Sequence, residues 1–321
     1  MKILNPMFGL LFFIFAVACQ NSSTGSTDST AADEQAITDI LNVDELTYDE
    51  IGDPSEAEIS NDNPTWLGAS ESFAKSGRRL RYGRIITKRD RTAQIVFDTD
   101  TTATAYVSRH LEGRFVSVSG KMVGDTLTLH KFDKPLVHEI TRIVNLVKFR
   151  NDTTNERKNW RISNVSMAEG ASDPNNISIV SLTIYPENQD SIVVTDPTSY
   201  FLKGVNMLAL PRHTKVTVRV KVKNNTPNPI FFPRDTRASE SVRLQYGRNR
   251  HGDHAKKQFT YEGTDNAGNN VYVGQWTVMQ FAGQHHAVID VIDNGTILSD
   301  DVSAYPYESS TWGMPYRVSK F

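Results

Sequence analysis

One stretch constrains this chain more than any other: Val216, Val218, Val220 and Val222 alternate with Lys215, Thr217, Arg219, Lys221 and Lys223. Successive side chains of a strand point to opposite faces, so this segment has one wholly apolar face and one wholly polar, cationic face. Such a strand needs a buried side and a wet side, which two packed antiparallel sheets supply. Further strand-like runs follow the same logic at 177–185, 190–195, 205–210, 240–247, 257–263, 270–279, 285–293 and 312–319, with Asn, Gly, Pro and Asp between them. A β-sandwich over 172–321 is the expectation, with Trp276 and Trp312 as core aromatics and the turn cluster Asp173-Pro174-Asn175-Asn176 at its start.

Asp265-Asn266-Ala267-Gly268-Asn269 is a turn by its chemistry. Asp and Asn bond their own backbone, and Gly accepts a positive φ. The pentapeptide resembles the hairpin of bacterial immunoglobulin-like modules, and that resemblance implies an immunoglobulin-like sandwich. A single cysteine among 321 residues leaves no disulfide in such a module and no cysteine-based zinc site.

The preceding stretch, 33–170, reads differently. Asp33 can cap a helix with Ala36, Ile37, Ile40 and Leu41 at helical spacing, and a second short helix is expected around 66–76 through Trp66, Leu67 and Phe73. After Arg78 the period becomes two. Ala93, Ile95 and Phe97 alternate, and strand-like runs follow at 101–109, 115–119, 138–149 and 160–167. Helix first and curved antiparallel strands after it resembles the cone-shaped α+β fold of the nuclear transport factor two and SnoaL-like superfamily. The residues that carry the resemblance are Ala36–Leu41, Thr102–Tyr106, Arg142–Lys148 and Trp160–Ser166. It implies an α+β cone-like domain with a pocket, in which His110, His138, Glu139, Tyr106 and Arg142 would be the candidates for acid–base or orienting roles. Alternation puts Tyr106, Ser108 and His110 on one strand face, and His138 and Arg142 together on a face of another. No Asp/His dyad stands where the catalytic members need one, so catalysis is not the expectation.

The amino terminus points to a compartment. Lys2, an apolar run from Met7 to Val17 and small residues before a cut site form a secretory signal, and the run is too short to span a bilayer. Ala16-Val17-Ala18-Cys19 resembles the lipobox of bacterial lipoproteins, which implies lipidation at Cys19, cleavage before it, and a membrane partner through the acyl chains. Gln20 after the cysteine implies the outer membrane by the sorting pattern of that family. Residues 1–18 are then a signal peptide. Residues 19–32, rich in Ser and Thr, are a flexible tether.

Charge is unevenly spread. The 35 basic and 37 acidic residues nearly cancel, yet no Lys or Arg lies between Lys2 and Lys75, where thirteen acids do. A basic window then runs from Lys75 to Arg91 with Asp90 as its one acid. Nucleic acid is excluded by the compartment and by the lack of aromatics interleaved with the basic run. An anionic glycan on Lys215, Arg219 and Lys221, or sugar stacking on Tyr305, Tyr307 and Trp312, is the binding alternative.

Metal ligation is not expected. His251, Asp253 and His254 form a lone loop pair with one oxygen donor, and the adjacent His285 and His286 point to opposite strand faces. Asp290, Asp293, Asp300 and Asp301 lack the spacing of a calcium loop. No nucleotide-binding loop, zincin helix or nucleophile elbow occurs, and no cofactor is expected. The function expected from the sequence is a non-catalytic, membrane-anchored envelope lipoprotein with a binding or assembly role. The alternatives are an enzyme using the cone pocket and a carbohydrate-binding accessory protein.

Overall fold

The computed structural model describes residues 27–43, 78–123, 126–152, 154–203, 208–232, 237–248 and 255–319. The signal peptide, Cys19, the second helix around 66–76 and the loop histidines His251 and His254 lie outside the described residues. Helix α1 (Thr27–Val43) opens the fold six residues earlier than expected, inside the segment read as tether. Its apolar positions behave as their spacing dictates: Ala36, Ile37, Ile40 and Leu41 are all buried.

Three long antiparallel strands follow, β1 (Arg78–Thr99), β2 (Thr102–Val123) and β3 (Thr126–Lys148), each of 22 or 23 residues. They pair as a meander, Tyr106 opposite Ile143 and Gln94. Strands β4 (Trp160–Ser166) and β5 (Ala168–Ser172) both pair with β3, and β5 continues to β16 (Ser309–Ser319). Next to β16 come β15 (Gly283–Asp293), β11 (Glu240–Arg248) and β12 (Ala255–Gln258). The short strands β8 (Phe201–Lys203) and β9 (Ala209–Pro211) attach to β4 and β16. A second, five-stranded sheet runs β13 (Thr260–Thr264), β14 (Asn270–Thr277), β10 (Lys215–Asn224), β6 (Ile177–Pro186) and β7 (Ile192–Val194). The protein is therefore predominantly antiparallel β-sheet with few helices.

The α+β cone is corrected by this topology. No helical layer backs the strands of the first region; α1 and a 3-10 turn at Glu156–Lys158 are its helical parts among the described residues. The boundary placed at 170–172 falls inside one sheet, because β5 sits between β3 and β16. The immunoglobulin-like reading fails to describe 172–321 as a self-contained module for the same reason: its strands β11, β15 and β16 complete a sheet begun by β1–β3.

The large sheet rolls. In strand order β1 and β11 are six places apart, about 29 Å across a flat sheet at about 4.8 Å per strand. Yet the Tyr82 hydroxyl of β1 lies 2.9 Å from the Ser241 hydroxyl of β11. Ser117 of β2 likewise donates to the Ile297 carbonyl at 2.7 Å, in the short helix α2 (Asn294–Leu298) that follows β15. The strands curl until one face encloses an interior.

Strands β16, β15 and β11 are buried on both faces as a result. One set of alternating residues, Trp312, Met314, Ile289, Val291, Val242 and Leu244, shares an apolar core with Leu182, Ile184, Val218, Val220 and Trp276 of the five-stranded sheet. The other set, Thr311, Ser309, Asp290, Ile292, Ser241 and Arg243, turns into the roll. The valine alternation that opened the reading is borne out: Val216, Val218, Val220 and Val222 are at most 1% exposed, each burial worth about 1.5–3 kcal/mol. The turn chemistry of Asp265 also appears as expected. Its carboxylate accepts the amides of Ala267 and Asn269, both at 2.9 Å, and Gly268 takes φ +83°.

Candidate functional site

Inside the roll, Arg84 of β1 stands in register with Leu80, Tyr82 and Ile86, so alternation carries its guanidinium inward with them. It meets Asp290 of β15 through two parallel bonds, Nη1 to Oδ2 at 2.6 Å and Nη2 to Oδ1 at 2.8 Å, with neither side chain exposed. Its Nε donates to the Tyr307 hydroxyl at 2.8 Å, and Nη2 also donates to Ser309 at 3.0 Å. Burial alone would lower the Arg84 pKa. The charge of Asp290 and the bonds from Asp290 and Tyr307 outweigh it, and the guanidinium is held above its ordinary value. Burial raises the Tyr307 and Tyr82 hydroxyls, so both stay protonated donors. Arg243 stacks 4.3 Å over the Tyr82 ring from the far wall.

His138 of β3 enters the same interior with no exposed surface. Its Nε2 is 3.2 Å from the Thr311 hydroxyl, and Nδ1 is 3.4 Å from the Tyr307 hydroxyl. Gly170 of β5 makes room for it; a Cβ there would lie 2.7 Å from His138 Nε2 and 2.3 Å from Thr311 Oγ1. The groups of this constellation contact one another and the strands that carry them. Chemically it acts as a clamp that holds the roll closed.

A second polar joint closes one end of the sheets. Glu240 and Asp293 of the large sheet and Glu308, just ahead of β16, are all at most 2% exposed. Asn270 of the five-stranded sheet donates to Glu240 at 2.8 Å; Asn224 donates to Glu240 at 3.2 Å and to Asp293 at 3.3 Å. Asn176 and Thr226 donate to Glu308 at 2.6 and 3.1 Å. Ser239 bonds Glu240, and Lys134 of β3 donates to the Gly295 carbonyl at 2.9 Å and to that of Tyr305. Burial raises the pKa of all three carboxyls and lowers Lys134 to about 8.

A raised carboxyl pKa favours the folded state fully below its unfolded value near 4, and that contribution is lost as pH rises through the folded value. His110, also raised, acts in the same direction above about 6.5. Asp152, Asp196 and Asp265, whose pKa values are lowered chiefly by hydrogen bonds, act oppositely and only below about 4. The thermal midpoint is therefore expected to peak on the acid side of neutrality and decline from about pH 5 to pH 7. Glu240→Gln should flatten that decline, and a wild-type midpoint that rises between those values contradicts the account.

The residues singled out in the sequence disperse. His110 and His138 occupy opposite faces of the meander, because His110 pairs with Glu139 and His138 pairs with Leu111. His110 sits on the outer face, where Nδ1 meets Glu139 and Nε2 lies 3.0 Å from Glu112, with Tyr106 half exposed on the same face. Arg142 is inside and donates to the Ser166 carbonyl at 3.2 Å. The register therefore sets His110 and Tyr106 on one face of the meander and His138 and Arg142 on the other.

The aromatic platform is corrected as well. Tyr307 is in the roll and Trp312 lies between the sheets, both 2% exposed, while the Tyr305 hydroxyl donates to the Asn228 carbonyl at 3.0 Å. On the outer face of β10, Arg219 pairs with Glu262 at 3.3 Å and Lys221 with Asp265 at 3.0 Å, while Lys215 and Lys223 are exposed. His285 and His286 are buried; His285 Nε2 is 2.9 Å from the Phe281 carbonyl. The acids once weighed for calcium serve other ends. Asp290 binds Arg84, Asp293 caps α2, Asp301 caps its own turn, and Asp300 faces His130 at 3.3 Å. No group of three or more His, Cys, Asp or Glu fit for a metal ion occurs among the described residues.

Between the sheets, Leu182, Val218, Trp276, Ile289, Trp312 and Met314 surround a void of about 10 Å³, apolar and at most one water in size. Sequence reasoning missed the Arg84–Asp290–Tyr307 clamp. The signal was present as an Arg in phase with Leu80, Tyr82 and Ile86, and an Asp inside the apolar run 287–292.

Fold and site together define an antiparallel β protein of two sheets, the larger rolled around a buried ion-pair clamp. Comparison with known protein families, with curated proteins and with solved structures finds no match to this chain.

Proposed function

We propose that this protein is a lipid-anchored component of a bacterial cell envelope, held at the outer membrane through Cys19, whose β body binds an envelope protein or an anionic glycan and does no chemistry. The observation that carries the reading is Ala16-Val17-Ala18-Cys19 behind Lys2 and a short apolar run, eight residues ahead of the folded body at Thr27. The buried clamp supports the non-catalytic part. Its ionisable groups are committed to each other inside the roll, where they fix shape. The five-stranded sheet and the strands it covers are read as a sandwich, the scaffold that presents the outer surfaces.

Cys19→Ser tests the anchor. The variant is expected to leave the membrane fraction and appear in soluble form, because multiple acyl chains at about 0.8 kcal/mol per buried methylene are what hold the protein. A variant that stays with membranes after a carbonate wash contradicts the reading.

A further inference from the structure

We infer that the surface formed by Phe149, Arg150, Arg157, Lys158 and Arg161, where β3 leads into β4, faces the membrane and docks on anionic lipid headgroups, a proposal that rests on the anchoring read from Cys19. Arg150, Arg157, Lys158 and Arg161 are all exposed. Between two of them stands an exposed aromatic ring. Phe149 is 44% exposed, with the Arg150 guanidinium 5.1 Å and the Arg161 guanidinium 4.9 Å from its centroid. An apolar ring flanked by guanidinium groups suits the headgroup boundary, where the ring enters the acyl edge and the cations meet phosphate.

The loop is preformed. The Phe149 amide donates to the Asn159 carbonyl at 2.8 Å, and the buried Asn159 side chain ties Asp152 from both sides at 2.7 and 3.0 Å. Two acids lie in the loop, Asp152 and Glu156. The Asp152 carboxylate accepts from the Thr154 amide at 2.8 Å and the Thr154 hydroxyl at 2.6 Å, and the four basic residues outnumber the two acids.

Position supplies the second argument. Asp33 in the second turn of α1 accepts from Lys148 at 2.7 Å and from Trp160 at 2.8 Å, the residues bracketing the loop. Asp33 lies about 9 Å along the helix from Thr27. From Thr27 back to Cys19 the chain reaches about 28 Å at most. An acylated Cys19 therefore keeps this end of the body, and no distant face, next to the bilayer.

The test uses the chain from residue 19 carrying Cys19→Ser, which keeps every described residue and bears no lipid. Co-sedimentation with vesicles of phosphatidylcholine alone is compared with vesicles that also contain phosphatidylglycerol. Binding is expected to the second kind alone and to weaken with salt. Arg150→Ser and Arg161→Ser should each weaken it about fivefold, and about twenty-five-fold together, at about 1 kcal/mol per basic residue near the surface. Phe149→Ser should weaken it further, with the thermal midpoint unchanged because all three side chains are exposed. Equal binding to both vesicles, no binding, or binding indifferent to the Arg pair overturns the proposal. So does retention by a dissolved acidic polysaccharide without vesicle binding. A Cys19 found unacylated in cells would overturn the anchor reading and leave this vesicle result intact, so the two failures are distinct.

Discussion

Asp290→Ala is expected to cost about 3–5 kcal/mol of folding free energy, because it leaves the Arg84 guanidinium charged inside the roll with its partner gone. Arg84→Met should cost about as much, since Asp290 then loses both bidentate bonds while Tyr307 and Ser309 lose a donor. The double variant Arg84→Met with Asp290→Leu should recover much of the loss. Apolar side chains of similar volume remove the desolvation cost of both ions. Chemical denaturation of the four proteins measures this as a double-mutant cycle. A double variant whose cost equals the sum of the singles contradicts the clamp. Were the pair on the surface, each single change would cost less than about 1 kcal/mol.

Trp312→Ala should be as severe, about 3–5 kcal/mol, for a different reason. Trp312 lies on β16 between β5 and β15 and projects into the core shared with the five-stranded sheet, 2% exposed and beside the small void. Loss of the indole enlarges that void in a place where two sheets meet face to face and cannot close independently. With total stabilities of about 5–15 kcal/mol usual for a folded protein, either substitution alone threatens the fold. A denaturation midpoint within the range of surface variants would mean that the sheets are not packed at Trp312. Met314→Leu, two residues on along the same face, keeps volume and should cost less than about 1.5 kcal/mol.

How legible all this was in the sequence depends on where polar groups went. Strand β10 was readable to within a residue, because four valines alternate with polar residues and its outer face stays wet. The Asp265 hairpin was readable because turn chemistry is local. The long meander was not. Its inward positions include Arg84, Ser117, Lys134 and His138, which break the apolar alternation that marks a strand, so 75–91 read as a charge run and 120–137 as no element. Each of these groups finds its partner more than 150 residues away, in Asp290, Ile297, Gly295 and Thr311. No window along the chain contains that information. The sheet crossing at β5 was hidden for a related reason. The turn Asp173-Pro174-Asn175-Asn176 is a real turn, but a turn in one chain segment does not end a sheet whose neighbouring strand arrives from residue 309 onward.

The same separation explains the site. His110 and His138 were grouped by residue type and apparent strand membership, and the register of β2 with β3 sets them on opposite faces. Tyr307, weighed for sugar stacking, lies in the roll, and Trp312, read both as a core aromatic and as a stacking candidate, is buried because β16 is covered on both sides.

What remains central is the anchor, since both the proposed role and the orientation of the basic loop follow from it. The intact mass of the protein extracted from membranes tests it most directly. The account predicts a chain beginning at Cys19 that carries a diacylglyceryl group on sulfur and an acyl group on its amino nitrogen. A chain that retains residues 1–18, or that begins elsewhere with a free Cys19 thiol, contradicts it.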